Sequence, residues 1–124
     1  MYREVAIHRL KDGAVLLQQG RYNGAIYLAG YAIECQLKYA YCRRWGCVYL
    51  PASLEVHDWE VIVEKTQLRK DMQVQTRMYA LYQALADQWG PALRYRTRPI
   101  GKTEAERLYR ELEELYQFVS ELVP

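Results

Sequence analysis

Phenylalanine occurs once in this 124-residue chain, histidine twice and cysteine three times. The cysteines, Cys35, Cys42 and Cys47, are odd in number and form neither a CxxC pair nor a Cys/His spacing suited to zinc. That excludes a fully paired disulfide scaffold and a structural zinc site, and it leaves reduced, mostly buried thiols as the expectation. No Glu-x-x-His occurs, which disfavours a carboxylate-bridged di-metal centre. No metal and no cofactor are therefore expected. Long apolar runs are missing too. The longest uncharged stretch in an apolar neighbourhood, Tyr22 to Ile33, stops at Glu34, short of the roughly 20 residues that cross a bilayer. Arg3, Glu4, Arg9, Lys11 and Asp12 break up any basic-then-apolar leader, so a cytoplasmic location is expected. Strict period-two alternation is confined to the short piece from Leu93 to Thr97, and repeats and low-complexity tracts are absent.

What is present is the composition of one globular domain over residues 1–124, with 51% hydrophobic and 26% charged residues. A net charge of +2 is too small to imply nucleic-acid binding unless the basic residues cluster. Tyrosine, at 12 copies, does the work that phenylalanine shares elsewhere. Many rings should lie half-buried with wet or hydrogen-bonded tips.

Apolar spacing predicts four long or medium helices and one short one, an up-and-down all-α bundle. The first, about Arg3 to Gln19, carries Ile7, Leu10, Ala14 and Leu17 on one stripe and ends at Gly20. Asn23 is placed to cap the second, about Gly24 to Trp45, and the short link makes the two an antiparallel hairpin. The second helix is apolar around most of its circumference, as a central helix is. Gly24 and Gly30 within it suggest close approach by a neighbour's backbone. Its remaining stripe is polar and aromatic: Tyr27, Tyr31, Glu34, Lys38, Tyr41 and Trp45. A short helix should begin near His57 or Asp58, a longer one should run from Met72 to Gln88 with Val74 on its apolar stripe, and Gly90 and Pro91 should stop it. Thr103 and Glu106 have capping-box spacing ahead of Leu108, Leu112, Leu115, Val119 and Leu122.

From Gly20 to Ala40 the sequence GRYNGAIYLAGYAIECQLKYA resembles the HEPN family, the higher eukaryotes and prokaryotes nucleotide-binding domains. HDW at 57–59, and Trp89 followed by RYR at 94–96, agree with the resemblance, which covers most of the chain. It implies a bundle of four or five helices that forms a homodimer, often partnered with a minimal nucleotidyltransferase in toxin and antitoxin pairs. It also implies metal-independent ribonuclease chemistry in many relatives, using an arginine followed four to six residues later by histidine, with a polar residue from the second helix. The polar residue maps to Glu34 and the arginine to Arg94 or Arg96, while no histidine follows His57. Arg3 and His8 have the spacing but sit about 140° apart around the first helix.

A carboxylate in the middle of the most apolar helix is costly to bury unpaired, so Glu34, with Lys38 four residues on and Tyr31 beside it, suggests a cleft or a dimer seam. Arg94, Arg96 and Arg98 alternate with Tyr95 and Thr97, and Lys102 follows. An extended backbone would turn the three guanidiniums to one side, as a strip for phosphates with tyrosines for stacking. The competing reading pairs that strip with Glu34 or with the acidic last helix. His57 is expected to serve as a helix start rather than in catalysis. The resulting functional expectation is a ligand-binding module for RNA, a nucleotide or a nucleotidyltransferase partner. The alternatives are a ribonuclease with a rearranged site and a pure interaction module.

Overall fold

The computed structural model describes residues 1–89 and 98–124. Among them are six α-helices and no strand: α1 Tyr2–Gln18, α2 Tyr22–Trp45, α3 Trp59–Thr66, α4 Arg69–Gln73, α5 Thr76–Gln88 and α6 Lys102–Leu122, with a 3₁₀ turn at Ala52–Leu54 before α3. The alternating piece from Leu93 to Thr97 and the stop at Gly90 and Pro91 lie outside the described residues.

The hairpin forms as the punctuation requires. Gly20 takes φ 75°, a region closed to most side chains, and lets α1 turn back onto α2. The face that α1 buries differs from the expected stripe. Ala6 and Gly13 are its buried residues, whereas Ile7 is exposed. Small residues win here because the helices approach closely: a methyl at Gly13 would lie 3.2 Å from the Ala25 carbonyl oxygen and 3.2 Å from the Tyr109 ring.

α2 is the central helix, packed by α1, α3 and α6, and it is buried on nearly all sides. It begins two residues earlier than Asn23 could cap, with Arg21 at the N-cap. Asn23 instead reaches across the molecule. Its amide donates to the Arg98 carbonyl at 3.1 Å and its carbonyl accepts from the Ile100 N–H at 2.9 Å. That link pins the entry to α6, whose N-cap is Gly101, so Thr103 falls inside the helix and makes no cap. The α6 core face is as expected: Leu108, Leu112, Leu115 and Val119 are buried, joined by Tyr109 and Tyr116.

The expected helix from Met72 to Gln88 is two helices. The chain breaks at Val74 and Gln75, and Val74 is 83% exposed rather than in the core. α4 is instead short and ends against the start of α5, where Met78, Tyr82 and Leu85 face inward. α3 starts as anticipated, with Asp58 as its N-cap accepting from the Glu60 N–H at 2.9 Å. Its C-terminus turns through Gln67 at φ 59°. Arg44, from the last turn of α2, donates to the Thr66 and Gln67 carbonyls at 3.2 and 3.0 Å and to Asp71 at 3.1 Å, while the Trp45 indole donates to the Lys65 carbonyl at 3.3 Å.

The glycines of α2 are approached by side chains, not by backbone. At Gly30 a methyl would lie 2.3 Å from the Trp89 ring, and at Gly24 it would lie 3.2 Å from Leu16. Trp89 belongs to a ladder of aromatic rings running Tyr79, Tyr82, Trp59, Trp89, Tyr27, with neighbouring centroids 5.8 to 6.3 Å apart.

Candidate functional site

Glu34 lies on α2 between two basic side chains, one from α2 itself and one from the loop before α3. Lys38, one turn on, places its ammonium 3.0 Å from Oε2. His57, from the loop that leads into α3, places Nδ1 3.1 Å from Oε1 and 3.2 Å from Oε2. The Glu34 side chain is 2% exposed and that of Lys38 11%, so this is no surface pair, whereas the His57 side chain is 61% exposed. Burial of both Glu34 and Lys38 explains why they need each other: an ammonium or carboxylate removed from water must find an opposite charge nearby.

The geometry also sets the state of the histidine. A carboxylate offers only lone pairs, so Nδ1 carries the proton that points to Glu34. In the neutral imidazole this leaves Nε2, on the side of the ring away from Glu34, with an unshared pair. A buried carboxylate thus holds Nδ1 while the opposite edge of the ring meets solvent. Of the two residues placed to start α3, Asp58 is the cap, and His57 belongs to the Glu34 cluster.

The surroundings are aromatic. Tyr31 and Tyr41 are half-buried, and Tyr27 and Trp45 are exposed, on the same broad side of α2. The neighbouring Cys35 thiol, and then burial, raise the Tyr31 phenol above its ordinary value. Burial and the negative charge of Glu34 push the Cys35 thiol up to about 11, so it is protonated and inert at neutral pH. No group of three or more His, Cys, Asp or Glu side chains suited to a metal ion occurs among the described residues.

The basic candidates are placed elsewhere. Arg94 and Arg96 lie outside the described residues. Arg98 is exposed and held through its carbonyl by Asn23, and Lys102 is exposed with Glu106 at 4.0 Å. Asn23 precedes Glu34 by eleven residues, close to three turns, so the two fall on one side of α2 about 16 Å apart along its axis at ~1.5 Å per residue. Arg98 and Glu34 thus mark two ends of one side of the central helix, with Gly30 and Trp89 between them. No helix among the described residues is long and apolar enough to cross a membrane. Comparison with protein-family models, with curated proteins and with solved structures returns no match for this chain.

Proposed function

We propose that the chain is a HEPN-like helical domain that pairs with a second copy of itself and binds single-stranded RNA along one side of α2. The observation that carries this reading is the Glu34 cluster. A buried carboxylate and ammonium next to an exposed imidazole, bordered by half-open tyrosines, suit a seam or cleft better than a plain core. Tyrosine and tryptophan rings stack on bases without regard to sequence, and the basic residues from position 94 to Lys102 supply phosphate contacts. The resemblance at 20–40 points the same way, and adds a minimal nucleotidyltransferase as the protein that would occupy this face in a toxin and antitoxin pair. A second reading, metal-independent cleavage of RNA, is favoured by one observation, the exposed edge of His57 beside Glu34.

Binding of labelled single-stranded RNA, followed by fluorescence anisotropy against salt, tests the proposal. About three phosphate contacts give a slope of log affinity against log salt near −2, from roughly −0.7 per phosphate. Replacing Arg96 and Arg98 by glutamate should abolish binding, and the change at Arg98, which is exposed, should leave the melting temperature nearly unaltered, because an exposed arginine contributes little to stability. Light scattering should give twice 14.7 kDa, falling to the single mass in Tyr31→Asp. A wild-type monomer, or no binding at low salt, overturns the reading. Metal-free cleavage lost in His57→Ala establishes the second reading in its place.

A further inference from the structure

The last turn of α2 carries a second cluster, independent of the Glu34 site. The helix ends with Gly46 at φ 66°, and the Cys47 N–H returns to the Cys42 carbonyl at 3.0 Å. This closure, in which a left-handed residue lets the next N–H bond back five residues, brings together the side chains at its two ends. Apolar residues usually fill those two positions. Here both are cysteines.

Cys42 and Cys47 are half-buried, neither is in a disulfide, and both line one open cavity of about 480 Å³ with Met1, Tyr2, Tyr39 and Val48. The two thiols sense each other: burial, and then the adjacent Cys47, push the Cys42 thiol up to about 11. The third cysteine is set apart. Cys35 is two turns back along α2, buried against Tyr31.

We propose that Cys42 and Cys47 form a modification site, a dithiol that hydrogen peroxide or an organic hydroperoxide converts into an intramolecular disulfide. Cys47, as the thiolate, attacks the peroxide, the O–O bond breaks, and that sulfur, oxidised by two electrons, becomes a sulfenic acid while hydroxide leaves and takes up the thiol's proton as water, Cys42 keeping its proton until the next step. The second thiol then attacks the sulfenic sulfur, its proton leaves with the hydroxyl as a second water, and the S–S bond forms. The sum is two thiols and one peroxide giving one disulfide and two waters, with hydroperoxide yielding an alcohol in place of one water. The bond locks the left-handed end of α2 and fixes one wall of the cavity, next to the exposed Val48 and Tyr49.

The arrangement of basic residues makes the test direct. Trypsin cuts after Arg21, Lys38, Arg43, Arg44 and Lys65, so Cys35, Cys42 and Cys47 fall on separate peptides, 22–38, 39–43 and 45–65. The full chain is treated with hydrogen peroxide, unfolded, alkylated with iodoacetamide and digested without reductant. Peptides 39–43 and 45–65 should appear as one species, lighter than their sum by two hydrogen atoms and separated by a reductant, with 22–38 alkylated. Cys35→Ser should leave the yield of that species unchanged, and Cys47→Ser should remove it. Alkylation of Cys42 and Cys47 after peroxide, sulfinic acid on either, a link to 22–38, or a bond between two copies on a non-reducing gel each overturns the proposal.

Discussion

Replacing Gly30 by alanine adds one methyl group where the Trp89 indole already lies. The new carbon would sit 2.3, 2.4 and 2.6 Å from three atoms of the six-membered ring. Carbon atoms rest about 3.5 to 4.0 Å apart, so the ring must retreat by about 1 Å or more. It has little room, because Trp59 stacks on it at 5.8 Å and 20° and Tyr27 lies 5.8 Å away on a tilted plane. Overpacking costs about 1–3 kcal/mol, and a methyl set this deep into a confined ring belongs in the upper part of that range, about 2–3 kcal/mol, of which the better helix propensity of alanine returns about 1 kcal/mol. If the ring is expelled instead, the loss approaches the about 3–5 kcal/mol of deleting a buried tryptophan. A net destabilisation of about 1–2 kcal/mol is therefore expected for the ring that yields in place, and more for the ring that leaves. For a chain of this size that lowers the melting temperature by roughly 3–8 °C. Urea unfolding measures it, and Trp89→Leu combined with Gly30→Ala should cost at least about 1 kcal/mol less than the sum of the single changes, since the smaller residue vacates the methyl's place. A neutral or stabilising Gly30→Ala, or strict additivity in the cycle, refutes the reasoning.

Glu34→Ala should destabilise by about 3 kcal/mol in chemical denaturation, because Lys38 is left as a buried cation without its partner, and Glu34→Leu with Lys38→Leu should restore most of the loss. Burial opposes ionisation of Glu60, but hydrogen bonds from Tyr82 and Arg69 outweigh it and hold the carboxyl below its ordinary 4.5. The carboxylate's contribution is thus present above that value and disappears as pH falls from about 5 through the depressed one. Tyr82→Phe should cost about 1 kcal/mol at pH 7, with Glu60 half-open to screening water, and the deficit should shrink toward pH 3 in melting experiments. Asp58→Ala should cost about 1 kcal/mol of stability and leave the Glu34 cluster in place, readable as an unchanged His57 imidazole signal in NMR.

Much of the helical layout was legible because its boundaries are local. Gly20 and Gly46 end their helices by adopting a backbone that other residues avoid, and Asp58 caps α3 with its own side chain. Where a local signal was overruled, a distant residue did it. Thr103 and Glu106 have the right spacing, yet α6 starts at Lys102 because Asn23 holds Ile100. The break at Val74 carries neither glycine nor proline, so nothing in the spacing marks it. Glu34 stood out as a charge in an apolar helix, and its pairing with Lys38 follows from a four-residue offset. Its contact with His57 spans 23 residues and a loop. The hint was chemical: a carboxylate accepts from several donors, and HDW ahead of a helix already had Asp58 for the cap, which left the histidine without a task.

Helix α3 has eight residues, fewer than the roughly 12–15 that an isolated helix needs to persist in water. Both of its ends are tied to α2: the approach through His57 to Glu34, the exit through Arg44 and Trp45. Its amide protons should therefore exchange with deuterium together with those of central α2, as part of one cooperative unit and not as a fraying surface segment. A molecule that draws His57 away from Glu34 would undo one of those ties, and the resulting loss of protection would be read along all of α3, up to two turns from the point of contact.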